Sequence, residues 1–140
     1  MFHRVLLDTG PLVALLDGSD HFHEQCKDSL QVIVPPLLTT WPVLTEAAWL
    51  LRAYPNAIQQ MFVWVYSRKI AVLSLGDEAT PWLAAFFRKY RKSGPQLADA
   101  SLVYLAERED LDTVFTLDQD DFSIYRFARN RRFRLLPDYR

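Results

Sequence analysis

Apolar residues along the chain follow two spacings, one typical of strands and one typical of helices. Continuous apolar runs predict strands at 2–7, 32–35, 70–73, 113–117 and 133–136, although 32–35 fits an extended link equally well. Apolar positions three or four residues apart predict helices at 11–16, 21–30, 42–52, 55–67, 77–90 and 97–108. Because strands alternate with helices and no short hairpin signal is present, we expect one α/β domain over 1–140, with a mainly parallel central sheet and helices on both faces.

Near the start of the chain, a predicted strand ends at a carboxylate, and a predicted helix begins shortly after it. The apolar run 5–7 ends directly at Asp8. Pro11 then fits the first turn of a helix, where the missing N–H of proline does least harm. Asp8 is therefore predicted at the carboxyl end of a strand, the edge at which open α/β sheets bind ligands. The alternative interpretation is that Asp8 or Thr9 simply caps the helix.

Further acids lie where other apolar elements begin or end. Glu46 belongs to the early turns of the third predicted helix, and Asp99 lies near the start of the last one. Asp118 follows the penultimate strand, with Asp120 and Asp121 just behind it. Two strand ends and two helix starts can converge on one edge of a parallel sheet. Each acid alone also has an ordinary interpretation, as a helix-start acid or a turn residue.

Converging carboxylates predict a metal site. They repel one another, and burying them unpaired costs free energy. Mg²⁺ or Mn²⁺ removes this conflict because both ions prefer oxygen ligands. A metal held in this way can activate water and stabilise the negative charge that develops at a phosphodiester. A zinc site at His21, His23 and Cys26 is the weaker interpretation, because their spacing is loose and a surface helix explains them.

Composition narrows the class of protein. Half of the 140 residues are hydrophobic and 14% are aromatic, so the chain can build a core and has rings to place in a subunit interface. The only cysteine cannot form an internal disulfide, which fits a reducing compartment such as the cytoplasm. No apolar stretch is long enough to span a bilayer, and only four glycines are present, without a glycine-rich phosphate loop.

Four short segments, in order along nearly the whole chain, resemble the motif series of PIN domains. They are 6–15, 45–46, 97–100 and 115–122. The resemblance is strongest to the VapC-type ribonuclease toxins of prokaryotic toxin–antitoxin pairs. It implies a three-layer α/β/α sandwich and a ribonuclease that depends on Mg²⁺ or Mn²⁺. It also implies an RNA substrate, a small antitoxin protein as partner, and a homodimer.

The resemblance assigns roles to individual residues. The catalytic acids it implies are Asp8, Glu46, Asp99 and Asp118. The metal ligands it implies are Asp8, Asp99, Asp118 and Asp121, with Asp120 as the competing candidate for the last position. Thr116 falls on the hydroxyl position that supports the acids, and Thr9 falls on a small polar position beside the first acid.

Two basic segments are candidates for contacts with RNA phosphates. The C-terminal one contains Arg126, Arg129, Arg131, Arg132, Arg134 and Arg140, of which Arg129, Arg131 and Arg132 are the principal candidates. The other, Arg88, Lys89, Arg91 and Lys92, precedes Asp99. Release of counterions from RNA would favour such contacts. The alternative is solvated surface charge.

Two other functions compete with ribonuclease activity. A PIN-like module could bind RNA or a protein without cutting, but such a module has no need to keep repelling carboxylates together. A phosphatase with an aspartate nucleophile would also place an acid after the first strand. It is disfavoured because position 10 is glycine rather than a second aspartate, and no suitably placed lysine is evident.

Overall fold

The computed structural model describes residues 1–139, so Arg140 of the C-terminal basic segment lies outside the described residues. The strands are β1 (Leu6–Leu7), β2 (Leu37–Thr39), β3 (Ile70–Val72), β4 (Thr113–Phe115) and β5 (Arg134–Leu136). The α-helices are α1 (Thr9–Leu16), α2 (His23–Ser29), α3 (Trp41–Leu50), α4 (Pro55–Tyr66), α5 (Thr80–Lys89), α6 (Leu97–Glu109) and α7 (Gln119–Ile124). Within residues 1–139, none of the helices combines the length and the apolar character needed to cross a membrane.

The five strands form one sheet in the order β3-β2-β1-β4-β5. The central strand β1 pairs with β2 and β4, and Leu6 lies opposite Leu38 on one side and Val114 on the other. All four strand pairings are parallel. Helices cover both faces of the sheet, so the predicted α/β/α fold with a parallel central sheet is confirmed.

The strand order reverses next to β1. From β1 the chain moves outward through β2 to β3 and then crosses back to β4 on the other side of β1. Such a reversal opens a crevice at the carboxyl ends of the two strands, because their connections lead away in opposite directions. Asp8 directly follows β1, and Asp118 follows β4 after two intervening residues. The topology therefore brings these two carboxylates to the mouth of one crevice.

The hydrophobic core surrounds β1 and α6. Leu6 and Leu7 point to opposite faces of the sheet, and both are buried. In α6, Leu102, Val103 and Leu105 are all fully buried. This helix is packed on more than one side, so its apolar residues do not form a single stripe. In its first turn, Ala98 and Asp99 are buried, although Leu97 is exposed.

The second strand lies later in the chain than the apolar run 32–35, so a strand at 32–35 is wrong. The extended-link interpretation holds only after Val32, which ends a short 3-10 helix, Leu30–Val32. Ile33 makes only an isolated bridge with Phe2. The strand is β2, whose three residues are all buried between β1 and β3. Pro35 has no N–H to donate to a ladder, which disfavours a strand at its position.

Two further differences concern one helix, which was not predicted, and one strand, which is shorter than predicted. No helix was predicted after Asp118, yet the structure forms α7 there. This helix has six residues and buries only Phe122, so it contains too few apolar positions for a helical period to be recognised. Conversely, β1 is shorter than the predicted run 2–7. Arg4 has a φ of 55°, which interrupts the extended backbone.

Candidate metal centre

An open cleft of about 510 Å³ lies at the carboxyl edge of the sheet, where the strand order reverses. The predicted site residues in its wall are Asp8, Thr9, Glu46, Asp99, Asp118 and Asp121. Five carboxylates from four separate stretches of sequence therefore meet in one place. Among the described residues, Asp120 is not part of this wall, so the structure brings Asp121 to the cleft instead.

Asp8 is held by a hydroxyl from the neighbouring strand end. It occupies the N-cap position of α1, but its side chain makes no capping hydrogen bond, so the capping alternative is wrong for Asp8. The Thr116 hydroxyl donates to Asp8 Oδ2 at 2.7 Å and accepts the backbone N–H of Asp118 at 2.9 Å. Gly10 lets the start of α1 pack closely against Leu117, because a Cβ added at residue 10 would lie only 3.3 Å from Leu117 Cβ.

Three of the acids form a tight group. Carboxylate oxygens of Asp99, Asp118 and Asp121 lie within 4.8 Å of one another. Asp118 and Asp121 come from the start of α7, and Asp99 comes from the first turn of α6. Asp8 lines the same cleft but, within the described residues, is not part of this group. The cleft therefore has a compact three-acid side and a separate, more deeply buried carboxylate.

Buried hydroxyl groups fix the helices that carry Glu46 and Asp99. The Thr40 and Ser101 hydroxyls are 2.7 Å apart and join the start of α3 to α6. Ser101 also donates to the Ala98 carbonyl at 2.7 Å. Both hydroxyl residues are fully buried, so this contact is shielded from competing water. The helix of Glu46 is thus held directly against the helix of Asp99.

Burial makes three of the cleft carboxylates weaker acids than usual. It raises the pKa of Asp8 to about 7, and the negative charges of Asp99 and Glu46 add to this rise. Burial also raises the pKa of Asp118 to about 6, with Asp121 as a further cause. The pKa of Asp99 is raised as well, first by burial and then by Asp121. The fully ionised cluster is therefore unfavourable without a compensating positive charge.

The residues present fit a hard divalent cation. All the candidate ligands are carboxylate oxygens, which Mg²⁺ and Mn²⁺ prefer. A cation would also offset the burial and the repulsion that raise the pKa values of Asp8, Asp99 and Asp118. In addition, the buried Thr9 hydroxyl has no hydrogen-bond partner within residues 1–139, although it lines the cleft. A buried hydroxyl without a partner is unusual, and a bound water or ligand would satisfy it.

The C-terminal arginines lie away from this cleft. Arg131 pairs with Asp110 and with Asp112, the latter at 3.7 Å. Both acids precede β4, at the edge of the sheet opposite the carboxyl ends. Within the described residues, Arg129 and Arg132 are also absent from the cleft wall. By contrast, the connection that contains Arg91 leads directly to cleft residues, Gly94 and Gln96.

Sequence reasoning missed one polar partner of the site. The Tyr125 hydroxyl donates to Asp99 Oδ2 at 2.9 Å, and the tyrosine is fully buried. In sequence it is one aromatic residue among many, because only the unpredicted helix α7 directs it toward Asp99.

The weaker zinc interpretation gains no support, since the His23 ring lies 2.7 Å from the Ala14 carbonyl and Cys26 is buried.

A family model and a curated relative match this chain over most of its length. The family model described as PIN domain matches residues 5–129. Ribonuclease VapC26 of Mycobacterium tuberculosis (strain ATCC 25618 / H37Rv) is 25% identical over 138 residues, which cover 95% of this chain and all of the relative. All the acids that line the cleft lie within the range matched by the family model.

Two solved structures are similar in fold. VapC20 of Mycobacterium tuberculosis, described as a Sarcin-Ricin loop cleaving toxin, has a TM-score of 0.76 and 17% identity, covering 83% of this chain and 91% of its own. VapBC2 from Rickettsia felis, bound to a DNA fragment from their promoter, has a TM-score of 0.62 and 14% identity, covering 96% and 98%. At these identities the likeness shows the fold and nothing further.

The raised pKa of Asp8 predicts how stability depends on pH without metal. Its pKa is about 7 in the folded protein against an ordinary 3.8, so between these values the folded state binds a proton that the unfolded state lacks. The free energy of unfolding should therefore rise as the pH falls from about 8 to about 5. The pKa difference sets an upper limit of roughly 4 kcal/mol for this residue.

Urea unfolding in EDTA at both pH values measures this dependence. Asp8→Asn should weaken it and should raise the free energy of unfolding at the higher pH, because a buried charge is removed. Asp28→Asn, which removes an exposed carboxylate on α2, is the matched control and should leave the dependence unchanged. An Asp8→Asn protein with the same pH dependence as the wild type would contradict the electrostatic account of the cleft.

Proposed function

The chain belongs to the PIN domain family, and from this premise we propose that it is a metal-dependent endoribonuclease that hydrolyses RNA phosphodiester bonds. We further propose that it is the toxin of a type II toxin–antitoxin pair and acts in the cytoplasm. The observation that carries the proposal is the convergence of five carboxylates in one cleft. Similarity to proteins named ribonuclease VapC26 and Sarcin-Ricin loop cleaving toxin supports RNA as the substrate.

The proposal assigns the cleft residues to two overlapping sets. The metal ligands are Asp8, Asp99, Asp118 and Asp121, and the catalytic acids are Asp8, Glu46, Asp99 and Asp118. When bound, Mg²⁺ or Mn²⁺ would supply activation of water and stabilisation of the negative charge that develops on the phosphodiester. Thr116 orients Asp8 by donating to its Oδ2. Thr9 offers a buried hydroxyl, which has no hydrogen-bond partner within residues 1–139, to a bound water.

Purified protein should cleave RNA only when Mg²⁺ or Mn²⁺ is present, and EDTA should stop the reaction. Asp8→Asn and Asp99→Asn should each lower the cleavage rate by at least about 100-fold, because each removes a charged oxygen that the cation needs. Cleavage of a labelled RNA, followed on a gel, provides the measurement. Asp120→Asn is the matched control, since Asp120 is exposed and lies beside Asp121 in sequence but outside the cleft.

Three outcomes would contradict the proposal. Equal cleavage in EDTA by a contaminant-free sample would exclude the metal-dependent mechanism. Wild-type rates for both Asp8→Asn and Asp99→Asn would exclude the assigned site. RNA binding without cleavage at any metal concentration would favour the non-catalytic PIN-like module.

RNA phosphates next to the cleft require cations nearby. We propose that Arg91 and Lys92 hold the nearest phosphates, because both are exposed and are followed closely by Gly94 in the cleft wall. Arg129, Arg131 and Arg132 are proposed to contact only RNA that extends beyond the cleft. Arg131 contributes least, since its guanidinium already pairs with acids of this chain.

Short and long RNA substrates should therefore respond differently to loss of charge. Arg91→Gln with Lys92→Gln should weaken binding of both RNAs and flatten the dependence of affinity on salt, because fewer counterions are released. Arg129→Gln with Arg132→Gln should weaken binding of the long RNA only. Fluorescence anisotropy over a salt series measures both effects, with Arg68→Gln as a control near the start of β3. Unchanged salt dependence in both double variants would mean that these cations are only solvated surface charge.

A homodimer and an antitoxin partner are also part of the proposal. Large side chains on α3 and α4 are exposed, including Trp41 at 56%, Trp49 at 63% and Tyr66 at 92%, and such exposure supports an interface. Similarity to a structure named VapBC2 supports a toxin–antitoxin pair.

Light scattering at micromolar concentration should give twice the chain mass of 16.3 kDa. The physical reason is that exposed aromatic rings gain free energy by leaving water at a symmetric contact between two copies. Dilution should shift the mass toward that of the monomer if the contact is reversible. A monomer mass throughout the micromolar range would contradict the homodimer.

A further inference from the structure

We propose that Tyr125 is a positioning residue that holds Asp99 in the geometry required for metal binding; the inference rests on the proposed function. The Tyr125 hydroxyl donates to Asp99 Oδ2 at 2.9 Å. Tyr125 is fully buried, and Asp99 is 8% exposed. The hydrogen bond therefore forms out of water, where a donor to a carboxylate fixes its orientation most effectively.

The position of Tyr125 in the chain gives this contact its significance. Tyr125 is the C-cap residue of α7, and its backbone N–H donates to the Asp121 carbonyl at 3.2 Å. Asp118 is the N-cap residue of the same helix. One short segment, 118–125, thus carries two acids of the three-acid group together with the hydroxyl that holds the third. The bond to Asp99 ties this segment to α6.

The ring of Tyr125 is fixed by neighbouring aromatic side chains. Its centroid lies 5.1 Å from that of Phe86, 5.0 Å from Tyr90 and 5.2 Å from Phe122. A ring packed in this way cannot rotate freely, so the hydroxyl has a defined position. Asp99 is consequently oriented by a rigid group rather than by solvent. Residues that orient metal ligands in this way typically change metal affinity by about 10–100-fold when they are lost.

Tyr90 provides a matched control within the same aromatic cluster. It is buried like Tyr125 and packs against it, but its hydroxyl accepts the backbone N–H of Arg126 at 3.0 Å. Tyr90→Phe and Tyr125→Phe each remove one buried hydroxyl and keep the ring. Only Tyr125→Phe removes a donor to an acid of the cleft, so a difference between the two variants isolates that role.

The experiment measures Mn²⁺ binding to the full chain by calorimetry, without RNA, for the wild type and both variants. Tyr125→Phe should weaken Mn²⁺ affinity by about 10-fold or more, and Tyr90→Phe should bind like the wild type. Urea unfolding in EDTA reports the stability of each variant separately. In RNA cleavage, the loss caused by Tyr125→Phe should be reduced at high Mn²⁺ concentration. Adding Tyr125→Phe to Asp99→Asn should weaken Mn²⁺ binding no further.

Four other outcomes would overturn the inference, and each has a different meaning. Wild-type Mn²⁺ affinity in a folded Tyr125→Phe protein would show that the hydroxyl does not position Asp99. An equal loss in both tyrosine variants would indicate a general effect of the aromatic cluster. Failure of Tyr125→Phe alone to fold would assign the hydroxyl to the stability of the fold. A wild-type protein that neither binds Mn²⁺ nor cleaves RNA would instead remove the proposed function, and this inference with it.

Discussion

The gathering of carboxylates in one partly buried cleft is the constraint on which the rest of this structure depends. Asp8 lies in a position that disfavours its ionisation, and its pKa is raised to about 7 mainly by burial. A folded domain gains nothing in stability from such an arrangement, because each additional buried acid makes the others harder to ionise. The fold nevertheless holds five acids in one cleft. The surrounding core must therefore offset an unfavourable electrostatic term, which protonation relieves at low pH and which a bound cation would relieve at higher pH.

The fold meets this constraint by supporting the acids with rigid polar contacts. Thr116 links Asp8 to the backbone of Asp118, and the contact between Thr40 and Ser101 joins the helices of Glu46 and Asp99. All three hydroxyl residues are fully buried. Buried hydroxyls bind and orient without adding charge, so they fix the carboxylates without neutralising them. The acids thus remain close together and available to an external positive charge.

The parts of the site that sequence reasoning could predict are those set by local patterns. Asp8 and Asp118 follow apolar strand runs, and topology alone then brings strand ends to one edge. The choice between Asp120 and Asp121 needed the structure, because it depends on the phase of α7, a helix too short to show a period. The contact of Tyr125 with the site could not be predicted from the sequence for the same reason. Its contact with Asp99 joins residues 26 positions apart through an element that the sequence pattern does not reveal.

The net charge of this chain does not show which of its cationic side chains can contact a polyanion such as RNA. The formal charge of −1 combines acids gathered in the cleft with arginines that are already in use elsewhere. Arg131 pairs with acids that precede β4, and Arg126 donates to three carbonyls around the end of α7. Releasing Arg131 to bind a phosphate would break exposed ion pairs, which costs at most about 1 kcal/mol. Arg91 likewise donates to the Arg88 carbonyl at 3.0 Å, so position beside the cleft, rather than freedom from other contacts, makes a cation a candidate for an RNA phosphate.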